Sequence, residues 1–364
     1  MLKFLNLQPE IFAIDIDDLF LRIVKLKKRR NGFVLVSFNE VQIKAGIVKE
    51  GTIQDQESLV KIIQLACKTV KGEKLNTRYV IFSLPEEKSF SQIIQMPNMT
   101  EKELVSAVPY EAENYIPLPI DKVYLDFQVI NLHKDKLNHL DLLVNVMPKP
   151  IVDSYVSCLK KASLTPCVLE IESQAITRAL IKRGESTLPT IFIDFGQTKT
   201  SLVIFSDNSI RFTSSMPISS EQLTNAICES LKVNFSKAEE LKVKYGLTKE
   251  TVKKHNIQEA ILPILNDLVA QIKKYISFYH GHASHEYSSS GGAIQKIILC
   301  GGGANLKGLS DFLSEELKID VKIGDPFTNI LPSKENKEYI IPRQKYLSFA
   351  TAIGLALRVP NDEN

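Results

Sequence analysis

Two stretches of this chain, 179 positions apart, carry one pattern: an apolar run ending in an acid, a short turn, and a second apolar run. The first is FAIDIDDLFLRIVKL, with Asp15; the second is IFIDFGQTKTSLVIF, with Asp194. The offset sets Ile14 on Ile193, Asp15 on Asp194, Asp17 on Gly196 and Val24 on Val203. A single hairpin of this kind is common. A matched pair at half the chain length points to a duplicated fold, each half a mixed sheet with helices, which is α/β.

The chain has 364 residues, enough for two lobes. Hydrophobic residues make up 44% and charged residues 24%, which excludes disordered, collagenous and rod-like classes. With 45 basic against 42 acidic side chains, there is no broad electrostatic footprint for nucleic acid. No apolar run reaches the roughly 18 residues of a membrane helix. The longest, Tyr346 to Val359, is interrupted by Ser348 and Thr351. The opening MLKFLNLQPE has no apolar core followed by a cleavage site, so no signal peptide is expected. Five scattered cysteines (67, 158, 167, 228 and 300) lack metal-ligand spacing and suit a reducing compartment. The expectation is a soluble, cytoplasmic, two-lobed protein.

Alternation predicts strands over 11–16, 20–26 and 33–43, with a hairpin turn at Arg30-Asn31-Gly32, then a helix over 55–70 and a strand at YVIFSLP. Three more strands fall within 190–216, with turns at Gly196 to Lys199 and at Asp207-Asn208. Residues 85–165 do not repeat in the second half. They hold SFSQIIQMP, a helix from Thr100 to Asn114 opened by a Thr100/Glu103 capping box, strands at DFQVI and DLLVNVM, and a helix from Pro150 to Ala162. They read as an inserted subdomain. Helical spacing over 219–232, 236–245 and 257–281 predicts a helical subdomain, followed by a Ser/Gly loop at 288–292. The division expected is a first core of 1–84 continued by 166–189 and 345–364, an insertion of 85–165, a second core of 190–218 and 294–344, and a helical unit of 219–293.

An acid-ended strand facing a glycine turn suits a nucleotide-metal site, because the carboxylate holds magnesium while small turn residues let backbone amides approach phosphate. Asp194, Gly196, Gln197 and Thr198 satisfy this pattern, with Thr198 and Thr200 as hydroxyl donors. A hairpin whose glycine serves geometry alone satisfies it too. Gly301, Gly302 and Gly303, before Ala304, end an apolar strand and precede a helix, a spacing that permits close approach to a base or ribose. The plain alternative is a turn. Glu239 and Lys242 share one helical face and by themselves read as an exposed ion pair. His280, His282 and His285 form a weak metal pointer at a helix end. The basic run from Lys25 to Arg30 reads as a solvated hairpin tip.

These segments together resemble the actin-like ATPase superfamily and, within it, the PilM family of type IV pilus assembly proteins, related to FtsA. IDFGQTKTSLVIF resembles the second phosphate motif, ILCGGGANLKGL the adenosine motif, KAEELKVKYGL the helix contacting the nucleoside, and YLSFATAIGLALR the last helix. EAENYIPLPIDKVYLDFQVI, residues 111–130, is similar to the family's insertion. The resemblance implies a bilobal actin-like ATPase fold with duplicated core subdomains and an FtsA/PilM-type inserted α/β subdomain. It implies ATP or ADP with magnesium, held by Asp15 and Asp194 and contacted by Gly196, Gln197, Thr198, Glu239, Lys242, Gly301, Gly302, Gly303 and Ala304. It also implies a PilN-like bitopic partner whose cytosolic tail docks between the first core and the insertion. The protein would then work as a cytoplasmic scaffold reaching the inner membrane through that partner and meeting other pilus components, with self-association left open.

One departure stands out. The family's first phosphate motif runs Asp-x-Gly then Ser or Thr, whereas here Asp15 is followed by Ile16, Asp17, Asp18 and Leu19. A like-charge pair at about 4 Å and an effective dielectric of about 20 costs on the order of 4 kcal/mol. The expectation is weakened nucleotide binding and no efficient hydrolysis, because no residue is identified to position water. The rival expectation is a magnesium-dependent ATPase of pilus or type II secretion assembly. A membrane-tethered FtsA-like filament is not expected, since no room for an amphipathic tether follows Pro360.

Overall fold

The computed structural model describes residues 10–130, 139–184, 186, 188–248, 251–252, 255–282, 293–332 and 341–358. The expected readings of the first nine residues, of 288–292 and of 359–364 lie outside these, as do His285 and the His282 side chain.

The first hairpins form as the alternation predicts. β1 (Phe12–Ile16), β2 (Phe20–Arg29) and β3 (Gly32–Gln42) are antiparallel, with Asp15 opposite Arg22. Every residue of β1 is buried, as befits a central strand covered on both faces. A small ribbon of β4 (Val48–Lys49) and β5 (Thr52–Ile53) leads into α1 (Gln56–Lys68), where the Asp55 carboxylate accepts the Ser58 amide as N-cap. β6 (Lys71–Gly72) joins β3, and β7 (Tyr79–Leu84) lies parallel to β1.

The chain then leaves this sheet to build another. β8 (Phe90–Pro97), α2 (Glu101–Ala112), β9 (Val123–Val129) and β10 (His139–Pro148) form a three-stranded sheet of order β8-β10-β9, covered by the helix. The Thr100/Glu103 capping box is present and starts α2. Ile94, Leu104, Val108, Leu142 and Val144 give this unit its own core. α3 (Lys149–Lys161) falls, by the sequence pattern, within the expected insertion of 85–165. Its buried Val152, Tyr155, Cys158 and Leu159 instead pack into the core of the first sheet. β11 (Thr165–Ile171) returns alongside β7 and gives the order β11-β7-β1-β2-β3-β6; α4 (Glu172–Leu180) follows.

The second sheet repeats the first. β12 (Thr190–Phe195), β13 (Thr200–Ser206) and β14 (Ser209–Met216) pair antiparallel, with Asp194 opposite Ser201. That register matches the Asp15–Arg22 pairing at the offset read from sequence, with Arg22 at the place of Ser201. Next come α5 (Ser220–Leu231), α6 (Phe235–Tyr245), the ribbon β15 (Thr251–Val252) and β16 (His255–Asn256), and α7 (Ile257–His282). β17 (Lys296–Cys300) lies parallel to β12 as β7 does to β1, and α8 (Leu309–Leu317) and β18 (Asp320–Ile323) complete the order β14-β13-β12-β17-β18. The terminal apolar run is a 3-10 stretch over Arg343–Phe349 followed by α9 (Ala350–Ala356). No helix among the described residues is long and apolar enough to cross a membrane.

α4 and α9 lie between the sheets. Ile176, Ala179 and Ile353 meet Val24 and Phe38 from the first sheet and Phe192 and Val203 from the second in one apolar cluster. Small residues let the helices touch: a Cβ at Gly354 would collide with the Ala175 carbonyl. Gly354→Ala should therefore destabilise by about 2–4 kcal/mol through forced separation of packed backbones. Gly281→Ala, at an open position near the end of α7, should be neutral or stabilise by up to about 1 kcal/mol. Guanidinium unfolding midpoints compare the two.

Candidate functional site

β1 and β12 end side by side in a cleft of about 600 Å³, solvent included, lined from both hairpins. Ligands of open α/β sheets gather at the carboxyl ends of such strands. Of the residues singled out in the sequence, Asp15, Asp194, Gly196, Gln197, Thr198, Gly301 and Gly302 line it. Gly303, Ala304, Glu239 and Lys242 do not.

The glycine run divides by role. Gly301 has φ +82, and a Cβ there would collide with the Asp194 carboxylate and come within 2.6 Å of the Phe195 carbonyl oxygen. A Cβ on Gly303 would approach the Phe195 ring to 2.7 Å. These two glycines thus let the loop after β17 press against β12. Gly302 alone faces open space. Gly196 is required by its turn, since a Cβ would lie 2.7 Å from the Lys199 carbonyl oxygen.

Of Glu239 and Lys242, only the carboxylate reaches solvent. Lys242 is buried, bonds Glu239 at 2.8 Å, and donates to the Ser220 carbonyl and hydroxyl at 3.0 and 2.7 Å and to Thr224 Oγ1 at 2.8 Å. It thereby ties α6 to the first turn of α5. That turn in its own right donates amides from Ser220 to Gly196 O at 3.0 Å and from Glu221 to Gln197 O at 3.1 Å. The pair supports the turn from behind.

The first hairpin shows what the two unexpected acids do. Asp17 Oδ1 accepts the Leu19 and Phe20 amides at 2.8 and 2.7 Å and so caps its own turn. Its Oδ2 binds Arg22 at 2.6 Å. Arg22 also bonds Glu40 at 3.0 Å, lies 3.8 Å from Asp15, and sits 5.1 and 5.9 Å from the Phe20 and Phe349 ring centroids. Asp18 turns away from the cleft and accepts the Glu50 and Gly51 amides at 2.8 and 3.0 Å. The expected repulsion from two carboxylates is therefore corrected for Asp18, which is directed elsewhere, while Asp17 stays in the cleft with its charge shared by Arg22.

Three charged cleft residues, Arg22, Lys199 and Glu172, have no role in the sequence reading. Arg22 could have been found from the register, as the residue facing Asp15 across the hairpin. Lys199 sat inside the second phosphate motif among hydroxyl residues. Glu172 had no local signal; the β11–β7 pairing delivers it to the start of α4. Lys199 binds Glu87 closely and Glu172 at 2.9 Å. Burial opposes its charge, but the two carboxylates outweigh burial and hold the ammonium well above the ordinary lysine range.

Burial, reinforced by Asp15, raises Asp194 to about 6, and burial also raises Asp15, which accepts a 2.7 Å bond from Ser83. Two such carboxylates are a hard-oxygen donor pair whose charge a divalent cation would stabilise. Among the described residues no group of three His, Cys, Asp or Glu is placed to hold a metal.

A carboxyl raised from 3.8 to about 6 in the fold destabilises the protein progressively as pH rises between those values. Asp194→Asn removes that penalty. Without nucleotide it should raise unfolding free energy at pH 8 by up to about 3 kcal/mol and leave it unchanged near pH 3, as denaturant titrations at the two pH values would show.

Comparison with known proteins agrees with this fold. The family model described as "Type IV pilus assembly protein PilM" matches residues 13–360. The solved "PilM-PilN type IV pilus biogenesis complex" superposes with a TM-score of 0.80 at 26% identity, covering 96% of this chain and 98% of that one. Cell division protein FtsA of Enterococcus hirae is 26% identical over 262 residues, 64% of this chain and 58% of its own length. FtsA of Enterococcus faecalis is 25% identical over 63% of this chain and 55% of its own, so the chain spans little more than half of these curated relatives. MreB5 of Spiroplasma citri bound to ADP shares the fold, with a TM-score of 0.55 at 11% identity over 95% of each chain. Fold, duplicated hairpins and family model agree: the chain has the actin-like ATPase fold and belongs to the PilM family of type IV pilus assembly proteins.

Proposed function

We propose that the protein is a pilus-assembly scaffold that captures the cytosolic tail of a PilN-like bitopic membrane protein, and whose cleft binds ATP or ADP with magnesium. The observation that carries this reading is the superposition on the PilM-PilN complex over nearly the whole chain, insertion included. The insertion offers a surface for the tail. Val105 and Tyr110 on α2 are 65% and 78% exposed, and Tyr115, Leu118 and Tyr124 continue the apolar side chains toward β9. Tyr124 bonds Asp153 on α3 at 2.9 Å, which places it where the insertion meets the first core. An extended peptide with apolar anchors suits such a junction. The membrane would be reached through the partner.

In the cleft, Asp15 and Asp194 would hold the magnesium, which neutralises phosphate charge when bound. The Gln197 and Thr198 amides of the turn would face phosphate, the Gly196 amide being held by the Lys199 carbonyl, and the open side of Gly302 leaves room for the nucleoside. Lys242 and Glu239 would act by bracing α5 behind that turn. Gly303 and Ala304 would shape the loop. A second reading, a magnesium-dependent ATPase, is favoured by Glu172, a buried carboxylate lining the cleft. Steady turnover abolished by Asp194→Ala and by Glu172→Gln would establish it over the scaffold alone.

Two results test the first reading. Asp17→Asn keeps the turn acceptor and removes a charge from the cleft. It should tighten ATP binding by about tenfold or more, whereas Asp18→Asn should change it less than about twofold; calorimetry reads both. Tyr110→Glu should weaken binding of the partner-tail peptide at least about tenfold and leave nucleotide affinity unchanged, as fluorescence anisotropy would show.

A further inference from the structure

Lys199 joins three parts of the molecule. It stands in the turn between β12 and β13 of the second sheet. Glu172 is the first residue of α4, reached from the first sheet. Glu87 lies in a 3-10 turn, Glu86–Lys88, between β7 and the insertion's β8. The Lys199 ammonium binds Glu87 and Glu172, and Lys199 and Glu172 both line the cleft. We propose that Lys199 couples the cleft to the insertion: phosphate bound in the cleft draws the ammonium off Glu87 and Glu172 and loosens the turn that carries Glu87 into β8. This rests on the nucleotide reading given above.

The argument is one of charge and connection. Asp15, Asp17, Glu172 and Asp194 surround the cleft, and Arg22 is already engaged by Asp17, Glu40 and two aromatic rings. The second cation there, Lys199, has carboxylate partners that a polyanion can replace. A lysine ammonium is a compact point charge on a flexible stem, suited to exchange one oxygen partner for another, unlike the clamped guanidinium. The turn it would release is held on its other side by Glu86, whose carboxylate accepts the Ser173 amide of α4 at 3.1 Å. Phe90, three positions after Glu87, opens β8 and pairs with Val146 on β10. A shift at Glu87 therefore passes directly into the sheet that carries α2 and its exposed apolar side chains.

The test uses the full chain with three probes: adenosine, magnesium-ADP and magnesium-ATP. Calorimetry should show Lys199→Met weakening ATP at least about tenfold while adenosine affinity stays within twofold. Glu87→Gln, which loosens the latch and keeps the lysine, should tighten ATP about threefold or more. Hydrogen exchange of peptides covering 85–97 should speed up when ATP binds the native chain, and should already be fast in Glu87→Gln without ligand. Native protein that binds ATP, with both variants showing unchanged ATP-to-adenosine ratios and unchanged exchange, overturns the coupling and leaves the nucleotide reading standing. Native protein that binds none of the three probes overturns both. If Lys199→Met does not fold, Glu87→Gln decides on affinity and exchange together.

Discussion

Four carboxylates around one cleft need cations, and that requirement organises the centre of this molecule. Asp15, Asp17, Glu172 and Asp194 line the space between the hairpins, where Arg22 and Lys199 oppose them. A charge removed from water without a partner costs several kcal/mol, so these positions constrain one another. Arg22 comes from the same hairpin as Asp15 and Asp17 and is held there and by Glu40 of the neighbouring strand. Lys199 comes from the other lobe and finds its partners across the cleft. One cation is thus internal to a lobe, and the other ties the lobes together.

The apolar counterpart of that tie is the α4–α9 pair. Ala175, Ala179, Ala350, Ala352 and Gly354 keep these helices close enough for both sheets to pack on them. Two related halves therefore share a seam of short side chains next to a charged opening. Short side chains leave little room for a wedge, so movement between the lobes is more readily set by the charged side, where partners can be exchanged. The insertion touches this arrangement at the Glu86–Lys88 turn, beside the phosphate-facing residues.

Much of the fold was legible because its signals are local. The alternation over 11–43 and 190–216, the Thr100/Glu103 capping box and the helical spacing over 219–281 each depend on neighbours within a few residues. The helix at 149–161 shows the limit: its existence was readable, but which core its apolar face enters depends on β10 and β11 on either side. The glycine run was legible as a special loop, yet Gly301 and Gly303 answer to Phe195 and Asp194, residues over a hundred positions away. Lys242 read as a surface partner because nothing nearby in sequence announces Ser220 and Thr224.

By itself the sequence determined the duplicated hairpins, their acids at Asp15 and Asp194, and the family to which they point, since strand alternation and turn chemistry are properties of contiguous residues. The tertiary structure decided which charges meet. It placed Arg22 on Asp17, turned Asp18 onto the amides of Glu50 and Gly51, and brought Lys199 to Glu87 and Glu172. The Lys199 pairings rest on parallel strands that join distant segments, whereas Arg22 and Asp17 meet within one hairpin. Coulomb interactions follow separation in space, which no spacing along the chain specifies.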